Sequence, residues 1–191
     1  TPPTTPRPPF AHREAEDGTL RSPMVIYGDA SASLCEYVSG RPGEYGGYAT
    51  YSVYVPQMGK YAIWGRVRAI DYGNDSFRVS VDGGPSAYWD VPSYTGWQWR
   101  TVSDRTTGAY PCTWWLQPGW HTIRVTMSEG GLARIDALEL ALHNAYTPGA
   151  SSVVTCTPTP MGPPTLTPTP TLTLTPTPSP TPFPAGPGIV R

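Results

Sequence analysis

The chain has 191 residues, with 25 prolines, 20 glycines, 14% charged and 12% aromatic residues, and a formal net charge of -1. A balance this close to neutral, with no run of Lys or Arg, offers no electrostatic footprint for nucleic acid or an anionic membrane, and both are set aside as partners. No apolar run approaches the roughly 20 residues needed to span a bilayer, and the opening at Thr1, inside a Pro/Thr stretch, reads as a processed or excised piece without a signal peptide.

In chain order, residues 1–11 form a Pro/Thr-rich linker, and residues 12–146 hold nearly all the Trp, Tyr, charges and β-branched apolar residues, the size of one domain. Residues 147–191 return to Pro and Thr as an extended tail. Between residues 45 and 142 the dominant signal is period-two alternation bounded by Gly, Pro and Asn/Asp clusters. In "YATYSVYV" Ala49, Tyr51, Val53 and Val55 share one face, and Thr50, Ser52 and Tyr54 the other. "YAIWGRVRA" sets Tyr61, Ile63 and Val67 opposite Trp64, Arg66 and Arg68, and "SFRVSV" sets Phe77, Val79 and Val81 opposite Ser76, Arg78 and Ser80. "DGG" at residues 82–84 supplies the positive-φ positions of a tight hairpin. Further strands are expected at "AYWDVP", "WQWRTV", "CTWWLQ", "WHTIRVTM" and "ARIDALEL", and no segment reads as a capped amphipathic helix. Many short strands joined by Gly/Pro turns predict an all-β antiparallel sandwich or jelly roll with extended Pro/Thr-rich tails. Of the adjacent Trp114 and Trp115, one must point inward and one outward, the outward ring being a contact surface if uncovered.

The three cysteines, Cys35, Cys112 and Cys156, are too scattered for a zinc cluster. A Cys35–Cys112 disulfide is expected, leaving Cys156, at the junction of domain and tail, free or paired between chains. A disulfide and Pro/Thr flanks point to an extracellular or cell-surface location.

The order of several phrases carries a resemblance. "REAEDG", "GEYGGYATYSVYVPQMGKYAIWGRVRA", "NDSFRVSVDGG", "WDVPSYTGWQWRTV", "QPGWHTIRV" and "LARIDALEL", spread over roughly residues 13–142, together resemble the non-catalytic carbohydrate-binding modules of families six and thirty-five. The resemblance implies a β-sandwich jelly roll, in agreement with the strand reading. It implies a structural Ca²⁺ held by acidic side chains near both ends of the domain, at Glu14, Glu16 and Asp136, chemistry suited to a cation that takes six to eight oxygens. It also implies a sugar ring clamped between aromatic side chains, with Tyr45 and Tyr48 of "EYGGY" on one side and Tyr88, Trp89 and Tyr94 of "AYWDVPSYTGW" on the other. The family's hydrogen-bonding Asn before the last Asp is replaced by Arg134, which suggests an acidic sugar or an unused cleft. The competing reading of these aromatics is a filled sandwich core.

Catalysis is not expected. Neither Glu14 with Glu16 nor Asp71 with Asp75 is placed at a cleft by the sequence, His12, His121 and His143 lie apart, and no nucleophile elbow, metalloprotease helix or phosphate-cradling loop occurs. The tail, exemplified by "PTPTLTLTPTPSPTPF" at residues 168–183, is a stiff spacer of about 3.1 Å per residue in the polyproline conformation. Its closely spaced hydroxyls suit O-glycosylation. The leading expectation is a binding module that attaches a secreted or cell-surface protein to a polysaccharide or other glycan. The alternative is a self-assembling subunit of an extracellular filament or sheath, with "TLTLT" at residues 171–175 pairing with an edge strand of a neighbouring copy.

Overall fold

A computed structural model of the chain describes residues 11–93, 95–144 and 146–149. The linker up to residue 10, Tyr94, Cys156 and the tail beyond residue 149, with its expected glycosylation and assembly roles, lie outside the described residues.

Twelve strands occur among the described residues, with two short 3₁₀ turns at Ala15–Asp17 and Ser33–Cys35. They are β1 (Ala11–Glu14), β2 (Thr19–Arg21), β3 (Met24–Gly28), β4 (Glu36–Gly40), β5 (Tyr48–Val55) and β6 (Gly59–Arg68). There follow β7 (Ser76–Val81), β8 (Ala87–Asp90), β9 (Gln98–Thr101), β10 (Thr113–Leu116), β11 (Gly119–Met127) and β12 (Arg134–Leu142). One sheet of seven strands runs β10-β6-β12-β4-β3, with β1 also pairing β12 and β9 also pairing β6. The second, of five strands, runs β2-β5-β11-β7-β8, and the strand ladders of both sheets are antiparallel.

Alternation decides which side chains fill the space between the sheets. Tyr51, Val53 and Val55 of β5, Tyr61, Ile63 and Val67 of β6, Phe77 and Val79 of β7 and Ile123 and Val125 of β11 are all buried in one core. Their neighbours Thr50, Trp64, Arg78 and Arg124 take the outer faces, because successive side chains on a strand point to opposite sides. β6 has a glycine at one inward position for a specific reason: a Cβ on Gly65 would stand 2.5 Å from Cη2 of Trp89, which occupies that space. Trp114 packs partly against the core while Trp115 is exposed.

The hairpin after β7 has the backbone its sequence requires. Asp82 and Gly83 take φ of 52° and 72°, and Gly84 N–H donates to the Val81 carbonyl at 2.9 Å. Asp82 also faces His121, whose Nδ1 lies 2.6 Å from Asp82 Oδ2 and whose Nε2 lies 2.8 Å from the Gln117 carbonyl. Partial burial lowers the pKa of His121, but the bonds to Asp82 and Gln117 outweigh it and hold the value above the ordinary one. Because the folded-state pKa is raised, the resulting stability is fully present below the unfolded value near 6.5 and is lost as pH rises through the folded value. An NMR titration of the His121 ring is expected to give a raised midpoint that falls in Asp82→Asn; an unchanged midpoint would remove Asp82 as the cause.

The expected Cys35–Cys112 bond is not formed. Cys112 is a free thiol and Cys35 is disulfide-bonded, its partner outside the described residues. The sheet order explains this. Cys112 leads into β10 and Cys35 into β4, which stand three strand spacings, about 14 Å, apart. A disulfide requires Cα atoms within about 7 Å.

Candidate functional site

The nominated sugar-contact residues do not converge. Trp89 on β8 is 1% exposed and packs in the core, its ring 6.1 Å from that of Phe77. It is therefore corrected from a ligand wall to a core residue. On a strand, Tyr88 and Trp89 cannot share a face, and it is Tyr88 that points outward. Tyr45, 70% exposed, lies in the loop between β4 and β5. Arg134 opens β12 and lies 5.1 Å over the Tyr37 ring, on the outer face of the other sheet from Tyr48 and Tyr88. Among the described residues the two expected aromatic walls thus form no single clamp.

Around Arg134 the outer face of the seven-stranded sheet carries a group that sequence reasoning missed. Tyr27 stacks on Tyr37 at 5.5 Å, and Tyr37 meets Trp97 at 5.4 Å. Arg68 and Arg66 lie 4.9 and 5.7 Å over the Trp97 ring. Arg68 is neutralised by Asp29 at 2.8 Å and Arg66 by Asp136. Burial raises the pKa of Asp29, but the Ser31 hydrogen bonds and the Arg68 charge prevail and leave it below the usual carboxylate value. The outward phase of Arg66 and Arg68 was legible, but the ring they share, Trp97, lies far along the chain, just before β9. Tyr37 is buried and covered by Arg134, so this group offers little open ring surface.

The three nominated metal ligands do lie near one another, at the junction of β1, the first 3₁₀ turn and β12. Glu14 Oε1 accepts from Ser33 Oγ at 2.9 Å and stands 3.2 Å from His12 Nε2, while Glu14 Oε2 is buried without a hydrogen-bond partner. Both Glu16 carboxylate oxygens are likewise buried and unpartnered. Burial, partly offset by the residue's own backbone N–H and reinforced by the charges of Glu14, Glu36 and Asp136, pushes Glu16 up to about 7. Asp136 is fully buried and accepts from Ser33 N–H at 2.8 Å and from Arg66, and burial pushes it up to about 6 despite Arg66. His12 also faces Glu139, at 3.1 Å, and the bonds to Glu139 and Glu14 raise it to about 9. Among the described residues no three His, Cys, Asp or Glu side chains stand in ligating geometry. The free oxygens of Glu14 and Glu16 nonetheless suit a hard cation, whereas both Asp136 oxygens are already engaged.

The outer face of the five-stranded sheet is the more open surface. Trp120 of β11 is 67% exposed and Tyr54 of β5 49%, their rings 5.5 Å apart in a T-shaped arrangement. Trp120 borders a groove of about 570 Å³ with Arg13, Asp17, Thr19, Thr50 and Ser52. Arg13 is fixed there by donating through Nε and Nη2 to the Ser52 carbonyl, at 3.1 and 2.9 Å. Further along the same face Arg124 lies 4.4 Å over the Tyr48 ring, and Tyr88 carries Arg78 at 4.6 Å and Arg105 at 5.2 Å. A larger cavity, about 670 Å³, lies among Trp64, Thr101, Tyr110, His143, Asn144 and Tyr146. Trp64 is only half-exposed there, so the groove at Trp120 presents the more accessible indole.

No protein-family model matches the chain, and no curated protein matches it. Solved structures do. A family 35 carbohydrate binding module from Clostridium thermocellum is 27% identical, with a TM-score of 0.56, covering 69% of this chain and 98% of that one. A carbohydrate binding module, CBM6cm-2, from Cellvibrio mixtus lichenase 5A, solved with cellotriose, is 23% identical, with a TM-score of 0.54, over 70% and 97% of the two chains. The Podospora anserina GH26-CBM35 beta-(1,4)-mannanase is 20% identical, with a TM-score of 0.58, over 74% of this chain but only 29% of its own. The chain has the β-sandwich fold of these modules.

Proposed function

We propose that the chain is a non-catalytic carbohydrate-binding module that attaches a secreted or cell-surface protein to a glycan, which it meets on the outer face of the five-stranded sheet. The observation that carries this reading is the exposed Trp120 ring beside a groove lined with hydroxyl, carboxylate and guanidinium groups. A sugar ring has an apolar C–H face that packs on an indole and a rim of hydroxyls that need donors and acceptors. Thr19, Thr50, Ser52, Asp17 and Arg13 supply both kinds within reach of that one ring. Structural likeness to binding modules of families 35 and 6 supports the same reading. No helix among the described residues is long and apolar enough to cross a membrane, and the disulfide at Cys35 fits an oxidising compartment.

Tyr48 and Tyr88 serve this face as supports for Arg124 and Arg78, not as open stacking platforms, because a guanidinium already covers each ring. Calcium is part of the proposal. Glu14 and Glu16 hold it through their unpartnered oxygens, and Asp136, whose oxygens each accept one hydrogen bond, joins them through a remaining lone pair. Bound there, the ion supplies charge compensation to buried carboxylates and no chemistry.

Trp120→Ala tests the site. The ring is exposed, so the fold is expected to survive, while retention on a polysaccharide that the parent binds falls about tenfold. Equal retention of the variant in affinity electrophoresis would remove Trp120 from the site.

A further inference from the structure

We infer that the glycan bound on the five-stranded sheet is acidic, a polysaccharide bearing carboxylate or sulfate groups, received by Arg21, Arg78 and Arg124. The inference rests on the glycan-binding reading above and names its ligand class. In sequence these arginines are far apart, but sheet order brings them together. Arg21 on β2 is paired with Tyr48, Tyr48 with Thr126, and Thr126 with Arg78, so one row crosses four strands as Arg21, Tyr48, Thr126 and Arg78, with Tyr88 opposite Arg78 on the fifth. The neighbouring row places Thr19 and Thr50, then Arg124 and Ser80, side by side. Arg21 and Arg78 therefore stand about 14 Å apart. Arg124 sits diagonally from Arg78, about 7 Å away.

All three are exposed, and none forms an ion pair among the described residues, in contrast to Arg66, Arg68 and Arg105, each of which faces a carboxylate. Three uncompensated positive charges on one sheet face of a chain whose formal net charge is -1 form a local field that the overall balance conceals. Like charges at diagonal positions repel. A bound anion relieves that repulsion. The rings of Tyr48 and Tyr88 limit the freedom of the guanidiniums of Arg124 and Arg78 by lying against them, at 4.4 and 4.6 Å, which reduces what must be ordered on binding. Guanidinium is also the group that pairs a carboxylate or sulfate through two parallel N–H donors. The hydroxyls of Thr50 and Thr126 lie between the arginines on the same face, in position for the sugar's own hydroxyls.

Affinity electrophoresis of the full chain in gels containing polygalacturonate, fully methyl-esterified pectin, dextran sulfate or dextran tests the inference. The expected result is stronger retardation in at least one charged gel than in its neutral counterpart, weakening as salt is added. The gel with the stronger retardation identifies carboxylate or sulfate as the preferred group. Arg78→Gln combined with Arg124→Gln is expected to lose about tenfold in that gel, and the Lys pair at the same positions to retain part of the binding. Equal retardation in charged and neutral gels, with loss only in Trp120→Ala, would remove the acidic ligand class and leave glycan binding standing. No retardation in any gel would remove both. Equally tight binding to phosphatidylserine-containing vesicles, lost in the double Gln variant, would assign the face to an anionic membrane and overturn the polysaccharide.

Discussion

Trp89→Ala is expected to cost about 3–5 kcal/mol of folding stability, the range for deleting a large aromatic from a packed core. The ring is 1% exposed, tilts against Phe77, and fills the space left by Gly65 on the facing sheet. Nothing at that position can collapse into the void, because the inward neighbours Val67 and Val79 are themselves fully packed. A drop in melting temperature of roughly 10 to 15 °C is expected for a domain of this size. Trp89→Phe recovers much of it. A melt within a few degrees of the parent would show that the ring does not hold the two sheets together. Glycan retention measured well below the melting temperature of Trp89→Phe should equal that of the parent, since the ring reaches no surface.

Removing the proposed calcium is expected to produce the second large effect. The free carboxylate oxygens of Glu14 and Glu16 are buried with no hydrogen-bond partner, and Glu14, Glu36 and Asp136 add repulsion at Glu16. A cation at a hundred times its dissociation constant would stabilise the fold by about 2.7 kcal/mol through mass action. Chelation should therefore lower the melting temperature by several degrees, and added Ca²⁺ should restore it while Mg²⁺, which loses its waters reluctantly, restores less. Glu16→Gln supplies the control. It removes a buried negative charge, so the metal-free protein becomes more stable while the calcium-dependent increment disappears. A melt indifferent to chelator and to added calcium removes the ion from the fold.

Strand phase was legible because it depends only on neighbouring residues. Tyr51, Ile63 and Val79 face inward and Thr50, Trp64 and Arg78 outward, as period-two alternation requires. The Asp82-Gly83 turn was equally local. Trp89 was misplaced because β8 has only four residues, two of them bulky aromatics, so either phase buries a large ring. The disulfide pairing and the row of arginines escaped for a different reason. Both depend on the lateral order of strands, and β2-β5-β11-β7 or β10-β6-β12-β4 is set by packing between distant segments. The aromatics over which Arg66, Arg68 and Arg134 lie, Tyr37 and Trp97, belong to the same category.

The pairing of β1 with β12 sets how this module responds to mechanical load. Ala11 lies opposite Leu140 in that ladder, so the described chain enters and leaves the sandwich at the same end, on adjacent antiparallel strands. A pull applied through both ends separates β1 from β12 crosswise, loading the Ala11–Leu140 pair first and the next pair only after it parts. Such a ladder opens one rung at a time, as a zipper does, and yields at lower force than strands sheared along their length. The first side-chain lock behind the opening edge is His12 between Glu14 and Glu139. That clasp, one residue in from Ala11, therefore takes the load directly after the Ala11–Leu140 rung.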